Sequence, residues 1–368
     1  MQPPTSRILN QNVFQLDVLR GIAVLLVICF HFFEGFSFGW AGVDLFFVLS
    51  GFLITGKLIE SIGAPDYWSA FYLKRVLRIV PLYYLVLIIF FILLPLIAPS
   101  LVSTSLKLLQ AEQVYYWTFS INFIYANRGW PTNANLLHLW TIACEMQFYL
   151  VWPFVVKWLL SSKKMRNWIL VALILFALIF RLFIADLFFL NHLAKYILPF
   201  SRIDTFAAGA LLYFYFTGNQ TPKLSLFIFV VLFSFAAIVS LSVAYNLNWH
   251  YSEGVTENFG YSLNAAFWGG ILGIFWMRKA FNPYFFRWLA LAGKYSYGIY
   301  VFHYPILKYA QKLIRDYAYA DHIGLIKALA IIVSIGLAVA SYELYEKRFI
   351  RLKFSFASKN KLVKPGKV

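Results

Sequence analysis

Arg20 and His31 stand eleven residues apart inside the apolar run LDVLRGIAVLLVICFHFF, where a fixed charge and a titratable ring are hard to accommodate. At ~1.5 Å rise and ~100° per residue, eleven steps bring the two side chains to nearly the same helix face, about 16 Å apart in height. An arginine at the centre of a membrane helix costs on the order of 2.5–3.5 kcal/mol, so such residues face a wet cavity or a partner. The second apolar run, GVDLFFVLSGFLITGKL, brings in Asp44 after the short turn EGFSFGWAG, at a level where it can meet His31. A carboxylate beside an imidazole fixes its tautomer and raises its basicity, the arrangement a general base needs to take the proton of a hydroxyl. A plain hydrogen bond between helices is the structural alternative.

Five further groups have chemical potential. Arg75 and Arg78 share a helix face at i, i+3 in YLKRVLRIVP, and two guanidiniums on one face can grip a phosphate. A topology anchor has the same composition, but Arg20 at a similar depth makes three arginines around one cytoplasmic entrance, which suits a polyphosphate ligand. Glu145 follows His138 by two helical turns in HLWTIACEMQFY and reaches mid-membrane, where a carboxylate must be paired, protonated or wet. Arg202 and Asp204 in SRIDTFAAGALL are expected to pair with each other, and His303 precedes Pro305, where a break can frame a cavity or bend the helix. Glu343 and Glu346 return to the inner side at a depth where they can neutralise the arginines.

The elements that position these residues follow from composition. The chain has 368 residues, 61% hydrophobic and 13% charged, with mean hydropathy +0.71, outside the range of most soluble domains. Ten apolar stretches are long enough for ~30 Å of hydrocarbon, at about 14–34, 41–58, 77–98, 136–157, 168–190, 197–216, 224–245, 260–277, 294–311 and 324–345. With both termini cytoplasmic, the inner segments hold 23 of the 32 Lys and Arg residues, in accord with the positive-inside rule. That asymmetry accounts for most of the +17 net charge without a nucleic-acid partner. The expected fold is therefore an all-α membrane protein of about ten transmembrane helices. Cys29 and Cys144 both fall within predicted helices, so no disulfide framework is expected. Asp17 and Arg20 interrupt the first run, which argues against a cleaved signal.

In this order, the motifs LDVLRGIAVLLVICFH, GVDLFFVLSGFLIT, KRVLRIVP, LWTIACEMQFYLVWP, RIDTFAAGALL, KYSYGIYVFHYPI and YEKRFIRL resemble acyltransferase family 3, the integral membrane acyltransferases that include enzymes of O-antigen and exopolysaccharide acetylation. The resemblance covers almost the whole length. It implies an integral membrane acyltransferase domain over residues 1–350 and a basic cytoplasmic tail over 351–368, with no fused soluble esterase-like domain. It further implies transfer of an acyl group, commonly acetyl, from cytoplasmic acyl-coenzyme A to a hydroxyl of a cell-surface glycan or lipid-linked saccharide, in the bacterial inner (plasma) membrane. His31, Asp44 and Glu145 are then the catalytic candidates, and Arg20, Arg75 and Arg78 the coenzyme A contacts; no metal is expected. Two routes stay open: His31 deprotonates the acceptor for direct attack, or carries the acyl group itself. The rival class is a secondary transporter or flippase of a polyanionic or lipid-linked substrate, which also needs buried charges and a basic entrance; a scaffold subunit comes last. The acceptor's identity is not written in the sequence, although Tyr115, Tyr116, Trp117 and Trp130 in the outer segment 99–135 suit sugar rings as well as a membrane interface.

Overall fold

The computed structural model describes residues 13–98, 104–132, 135–160, 162–190, 192–218, 221–246, 249–278, 283–316 and 320–352. Among them the regular structure is helical throughout, with no strand. This is what hydrocarbon demands of a chain that does not close a barrel, because only a helix satisfies its backbone groups within one segment. The long helices are α1 (Val13–Phe32), α2 (Gly42–Glu60), α3 (Tyr67–Ile88), α4 (Trp140–Leu159), α5 (Lys163–Ile179), α6 (Pro199–Thr217), α7 (Leu224–Ala244), α8 (Tyr261–Met277), α9 (Pro283–Lys294), α10 (Ser296–Asp316) and α11 (Ile323–Ser341).

Every stretch expected to be a span overlaps one of these helices. Seven stretches are long and apolar enough to cross a membrane: Phe14–Phe32, Ser37–Glu60, Tyr67–Ile97, Leu137–Leu159, Met165–Leu187, Leu224–Ala244 and Ile323–Leu352. The chain is thus an integral membrane protein. The remaining three helices differ for identifiable reasons. α6 carries Arg202 and Asp204, and α10 carries Lys308, Lys312, Arg315 and Asp316. α8 continues the π-helical turn Thr256–Gly260 and carries Ser262 and Asn264 among its first residues, which lowers its apolar character. α3 begins ten residues before its expected start at 77, so Arg75 and Arg78 lie within the helix and not at its opening. Of the basic tail, residues 353–368 lie outside the described residues.

The chain forms two compact units, one from residues 1–60, 118–131 and 137–296, the other from 61–117, 132–136 and 297–368. Within the first, helix pairs close on glycine. A Cβ on Gly51 of α2 would stand 2.0 Å from the Phe206 carbonyl oxygen of α6, and one on Gly209 of α6 would stand 2.1 Å from that of Val48. The two backbones therefore touch with no side chain between them, the close approach that small residues permit in membrane helices. α1 and α9 repeat the device through Gly21 and Gly293. In the second unit, tyrosines tie helices by donating to backbone carbonyls: Tyr83 to Tyr116 at 2.9 Å, Tyr297 to Ile79 at 2.7 Å and Tyr345 to Pro81 at 3.4 Å. The exposed faces of α5, α7 and α11 carry large apolar side chains such as Phe176, Phe229, Phe233 and Ile332, as a lipid-facing belt requires.

Gly209→Ala should lower the thermal stability of the purified protein in detergent, since the methyl group must push α2 and α6 apart. Gly269→Ala on α8, where a Cβ meets nothing within 4 Å, should be neutral or stabilising by the ~1 kcal/mol difference in helix propensity. Equal melting temperatures for the two variants would show that the α2–α6 contact is not the constraint it is taken to be.

Candidate active site

A layer of four charges crosses the first unit. Arg202 of α6 and Asp44 of α2 form an ion pair, and both side chains are fully buried. Arg181 donates to Asp204 at 2.9 Å, again with both side chains out of reach of solvent. The expected Arg202–Asp204 pair is not formed. Residues two apart on a helix point about 200° away from each other and cannot face one partner, so Arg202 turns to α2 and Asp204 to Arg181.

Polar side chains of α8 complete the layer. Asn264 donates to the second Asp44 oxygen at 3.0 Å, and Ser262 donates to Asp204 at 2.6 Å. Arg181 sits in the π-helical turn Phe180–Ile184 and donates through Nε to the Asn258 carbonyl at 3.0 Å, in the matching turn Thr256–Gly260. Its Nη1 donates to the Ser201 carbonyl. Such π-turns re-aim side chains and recur at functional sites. The Arg202 guanidinium lies 4.2 Å from the Tyr261 ring centre, with Tyr196 and Phe47 each at 5.7 Å, so the ring faces supply attraction where hydrogen-bond acceptors are absent.

His31 lies at the same end of the first unit, half-exposed in the last turn of α1. The Phe30 ring stands edge-on to it at 4.9 Å. Beside them runs the segment 249–253, with the His250 ring 5.9 Å and the Tyr251 ring 6.3 Å from Phe30. Burial, offset in part by Glu253, holds the His250 imidazole below the ordinary histidine range. Asp44 was expected to orient His31. The structure commits its two oxygens to Arg202 and Asn264 instead.

The other predicted site residues are placed as follows. Glu145, half-buried on α4, accepts hydrogen bonds from Ser50 of α2 and from Tyr149 one turn on, both on the same oxygen. His138 lies just ahead of α4 in the 3-10 turn Leu137–Leu139. Arg20 donates to Asp17 at 2.6 Å. Arg75 and Arg78 belong to the second unit, Arg75 half-buried with its guanidinium 5.7 Å from the Phe71 ring, Arg78 exposed. Glu346 lies in electrostatic reach of Arg78, while Glu343 pairs with Lys347 at 2.7 Å. His303 is buried in the second unit, its Nδ1 2.6 Å from the Tyr300 carbonyl oxygen. No group of three or more His, Cys, Asp or Glu side chains suited to a metal ion occurs among the described residues.

Sequence reasoning missed Arg181, Ser262, Asn264 and the segment 249–253. Arg181 carried a usable signal, being one of two charges, with Asp186, in the otherwise apolar stretch at 168–190.

Removing one member of a buried ion pair strands the other charge and costs about 3–5 kcal/mol, whereas replacing both with apolar groups is far milder. Asp44→Asn should therefore lower thermal stability sharply, and Asp44→Asn with Arg202→Met should recover most of the loss in a melting experiment. A double variant no more stable than Asp44→Asn alone would overturn the assignment of Asp44 as the counter-ion of Arg202.

Residues 13–342 match the family described as Acyltransferase domain, acyltransferase family 3. Similar curated proteins include the O-acetyltransferase OatA of Staphylococcus aureus strain NCTC 8325 / PS 47 and that of strain COL, each 29% identical over 348 residues, covering 86% of this chain and 55% of the relative. The chain thus spans about half the length of the curated relatives it matches. No solved structure matches. With the match running through α1, the charged layer and α10, the chain belongs to acyltransferase family 3.

Proposed function

We propose that the protein is a membrane O-acyltransferase that moves an acyl group, acetyl in the first instance, from cytoplasmic acyl-coenzyme A to a hydroxyl of a cell-surface glycan or lipid-linked saccharide. In this reading it crosses the bacterial inner (plasma) membrane ten times, with both termini cytoplasmic, as one domain over 1–350. The observation that carries the reading is the family match over residues 13–342, running through a half-exposed imidazole, His31, at the edge of a sealed charged layer.

The chemistry balances without a further co-reactant. The acceptor oxygen attacks the thioester carbonyl while His31 takes the hydroxyl proton; the carbon–sulfur bond breaks, the proton passes to the thiolate, and an ester and free coenzyme A thiol result. In the covalent variant the imidazole nitrogen attacks first and the acceptor then displaces the acyl-imidazole. Arg75 and Arg78, both of the second unit, serve as cations for the donor's phosphates. Glu145, held by Ser50 and Tyr149, serves the reaction as a fixed carboxylate. Asp44 acts through Arg202 and Asn264, which makes it a positioning residue.

The decisive experiment is release of thiol from acetyl-coenzyme A by purified protein supplied with an acceptor. Movement of a lipid-linked or polyanionic solute without thiol release would establish the transporter reading instead. His31→Ala should abolish transfer in a protein that still inserts and purifies as wild type; wild-type rates in that variant would remove His31 from the mechanism. A hydroxylamine-sensitive acyl label on wild type alone would select the covalent route.

At the donor end, Arg75→Ala or Arg78→Ala removes a charge-assisted phosphate contact worth roughly 1.5–3 kcal/mol. The KM for acetyl-coenzyme A should rise about tenfold or more, with the acceptor KM unchanged. If acceptor affinity falls and donor affinity does not, the donor contacts are misassigned.

A further inference from the structure

We propose that the rim formed by Phe30, Trp130, His250 and Tyr251 is the acceptor subsite, and that it takes a neutral sugar ring, stacked on Tyr251, beside His31. The inference rests on the acyltransferase reading above and assigns its acceptor end.

Four side chains form the rim, and each is half-exposed. Tyr251 is its centre. Its ring lies 4.2 Å from that of His250 and 6.3 Å from that of Phe30, and its hydroxyl is hydrogen-bonded by the Trp130 side chain. Phe30 in turn touches His31 at 4.9 Å, so a ring held here presents its edge hydroxyls toward the imidazole proposed to deprotonate one.

The segment carrying His250 and Tyr251 is fixed in place. The Trp249 carbonyl accepts from Trp40 Nε1 at 2.8 Å, and the Tyr251 carbonyl accepts from the Tyr261 hydroxyl at 2.7 Å. The His250 N–H donates to Glu253 at 3.2 Å. Trp249 is held in the left-handed region at φ 52°, a conformation costly for a bulky residue and kept only where its surroundings impose it. Behind the rim, Tyr196 stacks on Tyr251 at 4.3 Å with an interplanar angle of 19°, and Tyr196 and Trp40 are both buried. Backbone strain and buried support thus serve to present two particular side chains at a half-open surface.

The polar groups suit a sugar better than hydrocarbon. Both polar groups of Ser252 meet His250 Nδ1, the hydroxyl at 2.7 Å and the N–H, which donates to it, at 3.4 Å; with Nδ1 as acceptor, the neutral ring carries its proton on Nε2. Tyrosine, tryptophan and imidazole each combine an apolar face with a polar edge, the pairing presented by a sugar ring with its C–H face and equatorial hydroxyls. Rigid aromatic rings also lose little conformational freedom when a ligand stacks on them.

The test measures binding apart from turnover. Wild-type protein in nanodiscs is titrated with β-1,4-linked tetramers of N-acetylglucosamine and of glucose, without donor, by calorimetry and tryptophan fluorescence. At least one tetramer should bind. Tyr251→Ala and His250→Ala should weaken that binding, and raise the acceptor KM in the transfer assay, by about tenfold, while the KM for acetyl-coenzyme A is unchanged. Tyr251→Phe, which keeps the stacking face, should stay close to wild type, as should Trp288→Ala on exposed α9. Unaltered tetramer binding in Tyr251→Ala, or binding of octyl glucoside with neither tetramer bound, would overturn the subsite. Absence of thiol release by wild type despite tetramer binding would instead overturn the acyltransferase reading and leave the sugar site standing.

Discussion

Two buried ion pairs set the terms for the first unit. Asp44–Arg202 and Arg181–Asp204 carry no net charge together, yet each of the four groups would be prohibitive alone in a setting without water. The pairs constrain α2, α6, the end of α5 and the start of α8 at once, because Asn264 and Ser262 of α8 supply the remaining hydrogen bonds. Neither the register of these helices nor the angle of Arg202 over Tyr261 can shift without stranding a charge. Hydrocarbon offers no hydrophobic drive to pull one apolar helix onto another, so polar pairing and close packing must fix the geometry.

Glycine supplies the second half of that constraint. The α2–α6 contact places Gly51 and Gly209 against opposing backbone, and the ion pair to Asp44 is made from the same two helices, about two turns above that crossing. Close approach and charge pairing are therefore one design: the glycines bring the axes near enough for a short aspartate to reach an arginine on the neighbouring helix, and the ion pair then selects one rotation of α6.

The helices were legible in the sequence because apolar runs of membrane length are separated by basic or polar punctuation, and all ten expected stretches contain helix. Their number of crossings was less legible, since a helix such as α6 carries its charges inward and loses the apolar signature. Family membership was readable from motif order. At the site, Asp44 and Arg202 were visible as charges out of place, but their pairing was not. It joins residues more than 150 positions apart, and proximity in sequence pointed instead to Asp204, which the 100° helical step puts on the wrong face. Nothing in Trp249–Glu253 announces a functional segment; its placement depends on donors from Trp40 and Tyr261 that only the fold brings near.

Moving Asp44 from the reacting group to the frame changes what catalysis must rely on. A carboxylate already neutralised by Arg202 and hydrogen-bonded by Asn264 has little charge left to stabilise an imidazolium. The proposed base, with Phe30 against its edge, is thus not one that Asp44 orients directly. The sealed charges hold the helices in register, and the half-exposed rings stand at their edge.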